Sequence, residues 1–262
     1  MSLGTSAIAV LALTSAAGGQ AASCRAVSPP YTVALVELYT SQGCSSCPPA
    51  DRWLSKLGDA PARAVPLALH VAYWDTIGWK DPFARPEFND RQQRLARRNR
   101  GGPYTPEVFV GATELADWSS PGRFAARVAA TNARPAQAAI DLRARWVGAA
   151  AGGDPGARRL AVEVVWSADV STREPELLLA AKRGGYVTDV QAGENRGERL
   201  RNDHVVRAWS GPFAAAPAPL QIELTVPDGS GEAALVAIVQ EGSSGAVLQA
   251  LELPLANCEG KR

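Results

Sequence analysis

No stretch of this sequence supplies the roughly twenty consecutive apolar residues that a membrane-spanning helix needs, so no membrane span is expected. An excess of one charge is lacking too: 27 basic against 26 acidic side chains leave a formal net charge of +1. That balance provides no whole-molecule field for nucleic acid or an anionic membrane. With charged residues at 20%, it also excludes a highly charged disordered chain. The 24 glycines and 19 prolines follow no repeat period, which excludes a collagen-like chain. Four cysteines in 262 residues are too few for a disulfide scaffold, so each needs its own explanation. No Ser/His/Asp arrangement, phosphate-binding loop or nucleic-acid signature is found, and neither a nucleic-acid partner nor a cofactor is expected. What is plentiful is apolar residue, 46% of the chain, enough for one large domain or two modest ones.

The amino-terminal segment bears on compartment. Ala7 to Leu13 (AIAVLAL) is a short apolar run followed by small residues up to Ala22. A secretory signal has about 7–15 apolar residues and then small residues at its cleavage site. Residues 1–23 are therefore read as a signal peptide, although the opening MSLGTS has no Lys or Arg. The alternative, a strand or tail that stays, suits its Gly and Ala content poorly. Export places the mature chain in the periplasm or outside the cell, where disulfides persist. Cys24 and Cys258 sit near the two mature ends, which often lie close together in a domain. They are read either as a staple between the ends or as two free, unrelated cysteines.

Two halves differ in rhythm. Residues 30–133 alternate strand and helix signals. Thr32 to Tyr39 (TVALVELY) and Ala64 to Ala72 (AVPLALHVA) are nearly continuous apolar runs, as in strands covered on both faces. Pro66 inside the second argues for an edge position or a late start. Helices are expected at Asp51–Leu57, Ala84–Arg100 and Ser119–Thr131, and a short hairpin across Gly111. Over residues 134–258 the period becomes two. Ile140, Leu142 and Trp146 alternate with Asp141, Arg143 and Arg145, and Leu220, Ile222, Leu224 and Val226 repeat the pattern. Roughly eight short strands there suggest a β-sandwich-like module.

The chemistry concentrates in Gly43-Cys44-Ser45-Ser46-Cys47-Pro48-Pro49-Ala50-Asp51. Two cysteines separated by two residues can close a small disulfide. At a helix N-terminus, unpaired N–H groups and the dipole stabilise a thiolate on the leading cysteine. Such a thiolate attacks disulfides and also leaves well, which makes the pair redox-active. The motif follows a buried strand and opens a helix, where a redox CxxC sits in a thioredoxin-like unit. Tyr104-Thr105-Pro106 precedes the strand Glu107–Val110, the place of the cis-proline in such a site. From the residues alone Pro106 is trans by default, and only its position argues otherwise.

The stretch Val36 to Asp51 (VELYTSQGCSSCPPAD) resembles the thioredoxin superfamily and, more closely, the secreted family known as domain of unknown function 1223. His70–Pro82 (HVAYWDTIGWKDP), Tyr104–Gly111 (YTPEVFVG), Gly193–Arg207 (GENRGERLRNDHVVR) and Leu248–Leu255 match it as well. The resemblance implies an α/β thioredoxin-like domain followed by an all-β, sandwich-like C-terminal module. It implies no settled activity. By position, Cys44 is the attacking cysteine, Cys47 the resolving one, and Pro106 the cis-proline, with Thr105 beside it presenting backbone to a partner. Glu37 resembles the buried carboxylate that moves protons for the second cysteine, one residue further from the CxxC than usual. A solvent-facing Glu37 is the other reading. Ser45-Ser46 replaces the usual Gly-Pro, and Pro48-Pro49 is tolerated only in the first helical turn, so the helix is expected to begin at about Ser45 to Cys47.

Other residues have two readings each. His70 is either a core histidine bonded to backbone or a functional group, as a proton relay near Cys47 or as a copper ligand with Cys44 and Cys47. Tyr73, Trp74, Trp79 and Phe83 either line a groove for an extended substrate or cover the core. The arginines of residues 84–100 make a solvated face or a docking patch, and Glu194, Asn195, His204 and Arg207 could brace the two halves. The leading expectation is an exported thiol–disulfide oxidoreductase-like protein acting on a partner with thiols or a disulfide. The others are a copper-binding protein using Cys44, Cys47 and His70, and a secreted interaction protein whose CxxC is only structural. The redox reading requires a reachable leading sulfur. Two buried sulfurs, or two too far apart to bond without unravelling the backbone, end the reading of a leading sulfur that is ionised and reachable.

Overall fold

The computed structural model describes residues 23–57, 64–150, 156–169, 171–216, 218–227 and 231–258. All of the signal-peptide segment before Ser23 lies outside the described residues.

In chain order the elements begin with β1 (Ser23–Val27), β2 (Ala34–Thr40), α1 (Pro48–Ser55) and β3 (Ala64–His70). A 3-10 turn (Ala72–Ile77), α2 (Pro86–Arg98), β4 (Glu107–Val110), β5 (Thr113–Glu114) and α3 (Pro121–Asn132) follow. The remainder is extended: β6 (Ala138–Ala149), β7 (Arg158–Ala168), β8 (Pro175–Arg183), β9 (Tyr186–Asp189), β10 (Arg199–Asn202), β11 (Val205–Ala214), β12 (Leu220–Val226), β13 (Ala233–Glu241) and β14 (Val247–Pro254). A 3-10 turn, Leu255–Cys258, ends the described chain.

The strands do not sort by position in the sequence. An eight-stranded mixed sheet runs β14-β13-β8-β11-β3-β2-β4-β5, and a second sheet runs β1-β6-β7-β12. The expected α/β thioredoxin-like domain followed by an all-β module is therefore overturned. The described residues are 46% strand and 19% helix, and strands from both halves lie side by side in one sheet. The seam is parallel: β11 meets β3 at Val205 opposite Ala68, and the Ala68 N–H donates to the His204 carbonyl at 2.9 Å. The N-terminal β1 pairs antiparallel with β6.

The physical reason is legible in the burial. In β8, Leu177, Leu179 and Ala181 face the core against the second sheet, while Leu178 and Ala180 face the core under α2. In β13, Leu235, Ala237 and Val239 divide from Val236 and Ile238 in the same way. Strands apolar at every position need cover on both faces, and joining the sheet of β2 and β3 provides it. The period-two strands β6, β7 and β12 have one face to bury and form the outer sheet. A third core packs α1 and α3 on β2–β4 through Val36, Leu38, Leu54 and Phe124.

Pro66 lies inside β3 without breaking it. β11 begins only at Ala68, so the first half of β3 has no strand on that side, and Lys182 Nζ donates to the Pro66 carbonyl at 3.0 Å. Arg91, expected on a solvated face of α2, is buried, whereas Arg94, Arg97 and Arg98 are exposed. Among the described residues no helix is long and apolar enough to cross a membrane.

Candidate functional site

Strand β2, helix α1 and strand β3 form a parallel crossover unit, with Ser41–Cys47 turning from β2 into α1. The helix begins at Pro48, with Cys47 as its N-cap and prolines in its first two positions, where their missing N–H groups cost nothing. Cys44 and Cys47 form a disulfide with Cα atoms 5.4 Å apart. The expected surplus of free N–H groups around it is not there. Cys44 N–H donates to Ser41 O, Cys47 N–H to Cys44 O, and Ser45 N–H to the Glu194 carboxylate at 2.9 Å.

Both cysteines are fully buried, at 0% exposure each, while Ser45 and Ser46 between them are exposed. The sulfurs are close enough to bond but are closed to solvent, so the expected directly reachable leading sulfur is overturned in this closed state.

Thr105 and Pro106 stand against the pair, and the bond between them is cis. Ser46 Oγ donates to the Thr105 carbonyl at 3.4 Å and lies 3.3 Å from Cys44 Sγ, so the Ser46 side chain sits between the two segments. Trp74 Nε1 donates to Thr105 Oγ1 at 2.8 Å. On the other flank Trp79 Nε1 donates to Gln42 Oε1 at 3.2 Å. The aromatics thus divide: Trp74 and Trp79 clasp the turn, Phe83 packs edge-on to His70, and Tyr73 is partly exposed.

Glu37 is elsewhere. It lies between Leu35 and Tyr39 on the face covered by α2, opposite the face on which α1 packs. There it forms a buried pair with Arg91, Nε to Oε1 at 2.6 Å, and accepts a bond from the Tyr39 hydroxyl at 3.2 Å. The carboxyl on the cysteine side is Asp51, one helical turn after Cys47 and therefore on the same face of α1. Burial pushes the Asp51 carboxyl up to about 6, against the pull of His70. His70 pairs across β2–β3 with Thr40, on that same face. Its Nδ1 lies 2.7 Å from Asp81 Oδ2. Burial lowers the His70 pKa, but the Asp81 charge and hydrogen bond outweigh it and raise it overall. Asp81 is depressed: burial raises it, but His70 and the N–H groups of Gln42 and Phe83 prevail. His70 Nε2 is buried without a hydrogen-bond partner, and Thr40 Oγ1 and Asp51 Oδ1 make no hydrogen bond of good geometry, although the Thr40 hydroxyl lies near enough to Asp51 to lower its pKa. A buried polar atom without a partner costs about 1–3 kcal/mol, so this polar cluster where parallel strands end is a candidate site. Among the described residues no group of three or more His, Cys, Asp or Glu side chains is arranged to hold a metal.

The far half supplies the remaining contacts. Ser45 Oγ donates to Glu194 at 2.7 Å, and Asn195 Nδ2 donates to the carbonyls of Gln42 at 2.8 Å and Cys44 at 2.9 Å. Gln42 Nε2 in turn donates to Thr188 Oγ1 and Asn202 Oδ1 on the β9–β10 hairpin. His204 and Arg207 brace the seam instead. The carbonyl of His204 receives Ala68, and the Arg207 guanidinium lies 4.9 Å from the Phe83 and Tyr186 rings. Asp51 could have been found in the sequence from its spacing to Cys47. Nothing local in the sequence aims Glu194 and Asn195 at residues about 150 positions away.

The family model described as "Protein of unknown function (DUF1223)" matches residues 35–240, well over half of the chain. The chain belongs to this family. The DUF1223 match spans every site residue named above. No curated protein matches the chain in sequence. Two solved structures share its fold. Protein AGR_C_4864 from Agrobacterium tumefaciens is 22% identical with a TM-score of 0.57, over 85% of this chain and 94% of that one. HBP35 of Porphyromonas gingivalis is 15% identical with a TM-score of 0.58, over 90% of this chain and 79% of that one.

Proposed function

We propose that this DUF1223 protein is an exported thiol–disulfide oxidoreductase whose cysteine pair works only when its cover is displaced. The observation that carries the reading is the asymmetry around the disulfide. A buried, raised carboxyl (Asp51), a buried His70–Asp81 pair and the buried Thr40 hydroxyl lie on the Cys47 side. The exposed Ser45–Ser46 and the Thr105–Pro106 backbone lie on the Cys44 side. Exposed Tyr73 and Tyr104 lie beside Thr105 and offer apolar contacts to a polypeptide.

In the reduced form the Cys44 thiolate attacks one sulfur of a partner disulfide. A Cys44–partner bond forms and the partner's other sulfur leaves as a thiolate. Cys47 loses its proton to Asp51, and its thiolate attacks Cys44 Sγ. The Cys44–Cys47 disulfide closes and the partner's second thiolate departs. Two electrons pass to the partner, and the protons lost by the dithiol balance those taken up by the partner thiols. A dithiol partner runs the sequence backwards. The Thr105 backbone accepts an extended partner segment by short strand pairing. The test is exchange activity on a disulfide-bonded protein substrate. Wild type is active and Cys44→Ser is inactive; equal rates for the two overturn the reading.

A second reading rests on the burial itself, since sulfurs at 0% exposure also suit a purely structural disulfide in a secreted interaction protein. A reduction potential for Cys44–Cys47 below about −300 mV selects that reading, because structural disulfides resist reduction.

A further inference from the structure

The β9–β10 hairpin belongs to neither large sheet. A two-stranded ribbon on its own is marginally stable, so its position depends on what it docks against. Its connecting segment docks on the cysteine turn. Gly193 takes a left-handed φ of +74°, and a Cβ there would come 3.2 Å from the Trp79 Cβ and 3.9 Å from the Gly43 Cα. Glycine thus lets the two backbones approach. Glu194 then binds Ser45 twice, and the buried Asn195 ties the Gln42 and Cys44 carbonyls to the hairpin. The Glu194 carboxylate also takes a leading N–H that would otherwise be free for a thiolate on Cys44.

We infer that Gly193–Glu198 is an intramolecular gate over the Cys44–Cys47 pair, with Asn195 and Glu194 as the positioning residues that latch it. The inference rests on the redox reading of this pair and names its regulation. Closed, the gate keeps both sulfurs from attack. A partner that engages the exposed Ser45–Ser46 face competes with Glu194 for the Ser45 donors and so releases the latch. Restoring Asn195 and Glu194 after release re-forms four hydrogen bonds, which returns the pair to its protected state.

The test is the rate at which dithiothreitol reduces each disulfide of the full chain, followed by alkylation and mass analysis. In each event one disulfide becomes two thiols and dithiothreitol closes to its cyclic disulfide. Asn195→Ala, which deletes two buried bonds, accelerates reduction of Cys44–Cys47 by about tenfold, and Glu194→Gln does so by about threefold. The Cys24–Cys258 rate is unchanged in both variants, because only local opening is altered. Trp74→Phe, on the opposite flank, has a smaller effect than Asn195→Ala. Unchanged Cys44–Cys47 rates in both latch variants overturn the gate. So does equal acceleration of both disulfides, which signals general unfolding, and so does a larger effect from Trp74→Phe. Exchange activity on a protein substrate is measured in parallel. Faster reduction with no activity in any variant upholds the gate and removes the oxidoreductase reading; activity with unaltered reduction rates does the reverse.

Discussion

The two disulfides of this protein are opposites. Cys24–Cys258 joins β1 to the turn after β14 across 234 residues of sequence, and it is surrounded by Ala, Leu, Val and Trp side chains of the sandwich core. Cys44–Cys47 spans three residues and is surrounded by Ser46, Thr105, Glu194, Asn195 and the Asp51–His70–Asp81 group. In the chain-entropy model the long crosslink contributes about 5 kcal/mol of stability and the short one about 2 kcal/mol. The first therefore needs no role beyond holding the ends of the chain. The second adds little stability and sits where buried polar groups cost free energy, so its surroundings need a chemical explanation.

Three experiments break or sharpen this contrast. The largest effect belongs to the long crosslink. Cys24→Ala with Cys258→Ala lowers unfolding free energy by about 5 kcal/mol, and Cys44→Ala with Cys47→Ala by no more than about 2 kcal/mol, read from denaturant midpoints. Equal losses would erase the distinction. Next is a control for buried charge remote from either disulfide. Arg91→Met leaves Glu37 buried without its partner and destabilises by about 3–5 kcal/mol at neutral pH. The smallest is Asp51→Asn, and its sign is reversed. The Asp51 pKa is raised from its ordinary 3.8 to about 6, so the folded state resists ionisation. Stability is full below about pH 4, falls as pH rises through 6, and is lower above that by about 3 kcal/mol. Asp51→Asn removes that penalty. It stabilises by up to about 3 kcal/mol at pH 7 and leaves stability unchanged at pH 3.5, in urea titrations at the two pH values. A loss of stability at pH 7 would show that the Asp51 carboxylate is structurally supported rather than poised.

How much of this could be read in advance follows from how local each feature is. The strand–turn–helix placement of Cys44 and Cys47 is local, and α1 begins at Pro48, immediately after the motif. The alternation in β6, β7 and β12 is local too, and it reports one buried face. What sequence rhythm does not carry is which strand lies beside which. Leu177–Ala181 and Ala234–Val239 are more continuously apolar than Ala34–Tyr39, which Glu37 interrupts, a sign that they too belong in a sheet covered on both faces. That sign competes with their position among period-two strands. Glu37 illustrates the same limit. Its place on the strand entering the CxxC suggests a buried proton carrier, but strand alternation turns it toward α2 and Arg91, while helical spacing puts Asp51 on the face of α1 that carries Cys47. Glu194 and Asn195 reach the site only through a hairpin whose docking depends on tertiary packing.

The seam between β3 and β11 also governs when the molecule can become itself. Until Val205 and the residues after it are available, β3 presents an unpaired edge in a strongly apolar sheet, a template for association with other chains. A fragment ending before residue 205 leaves that edge open, and its aggregation relative to the full chain is the expected result.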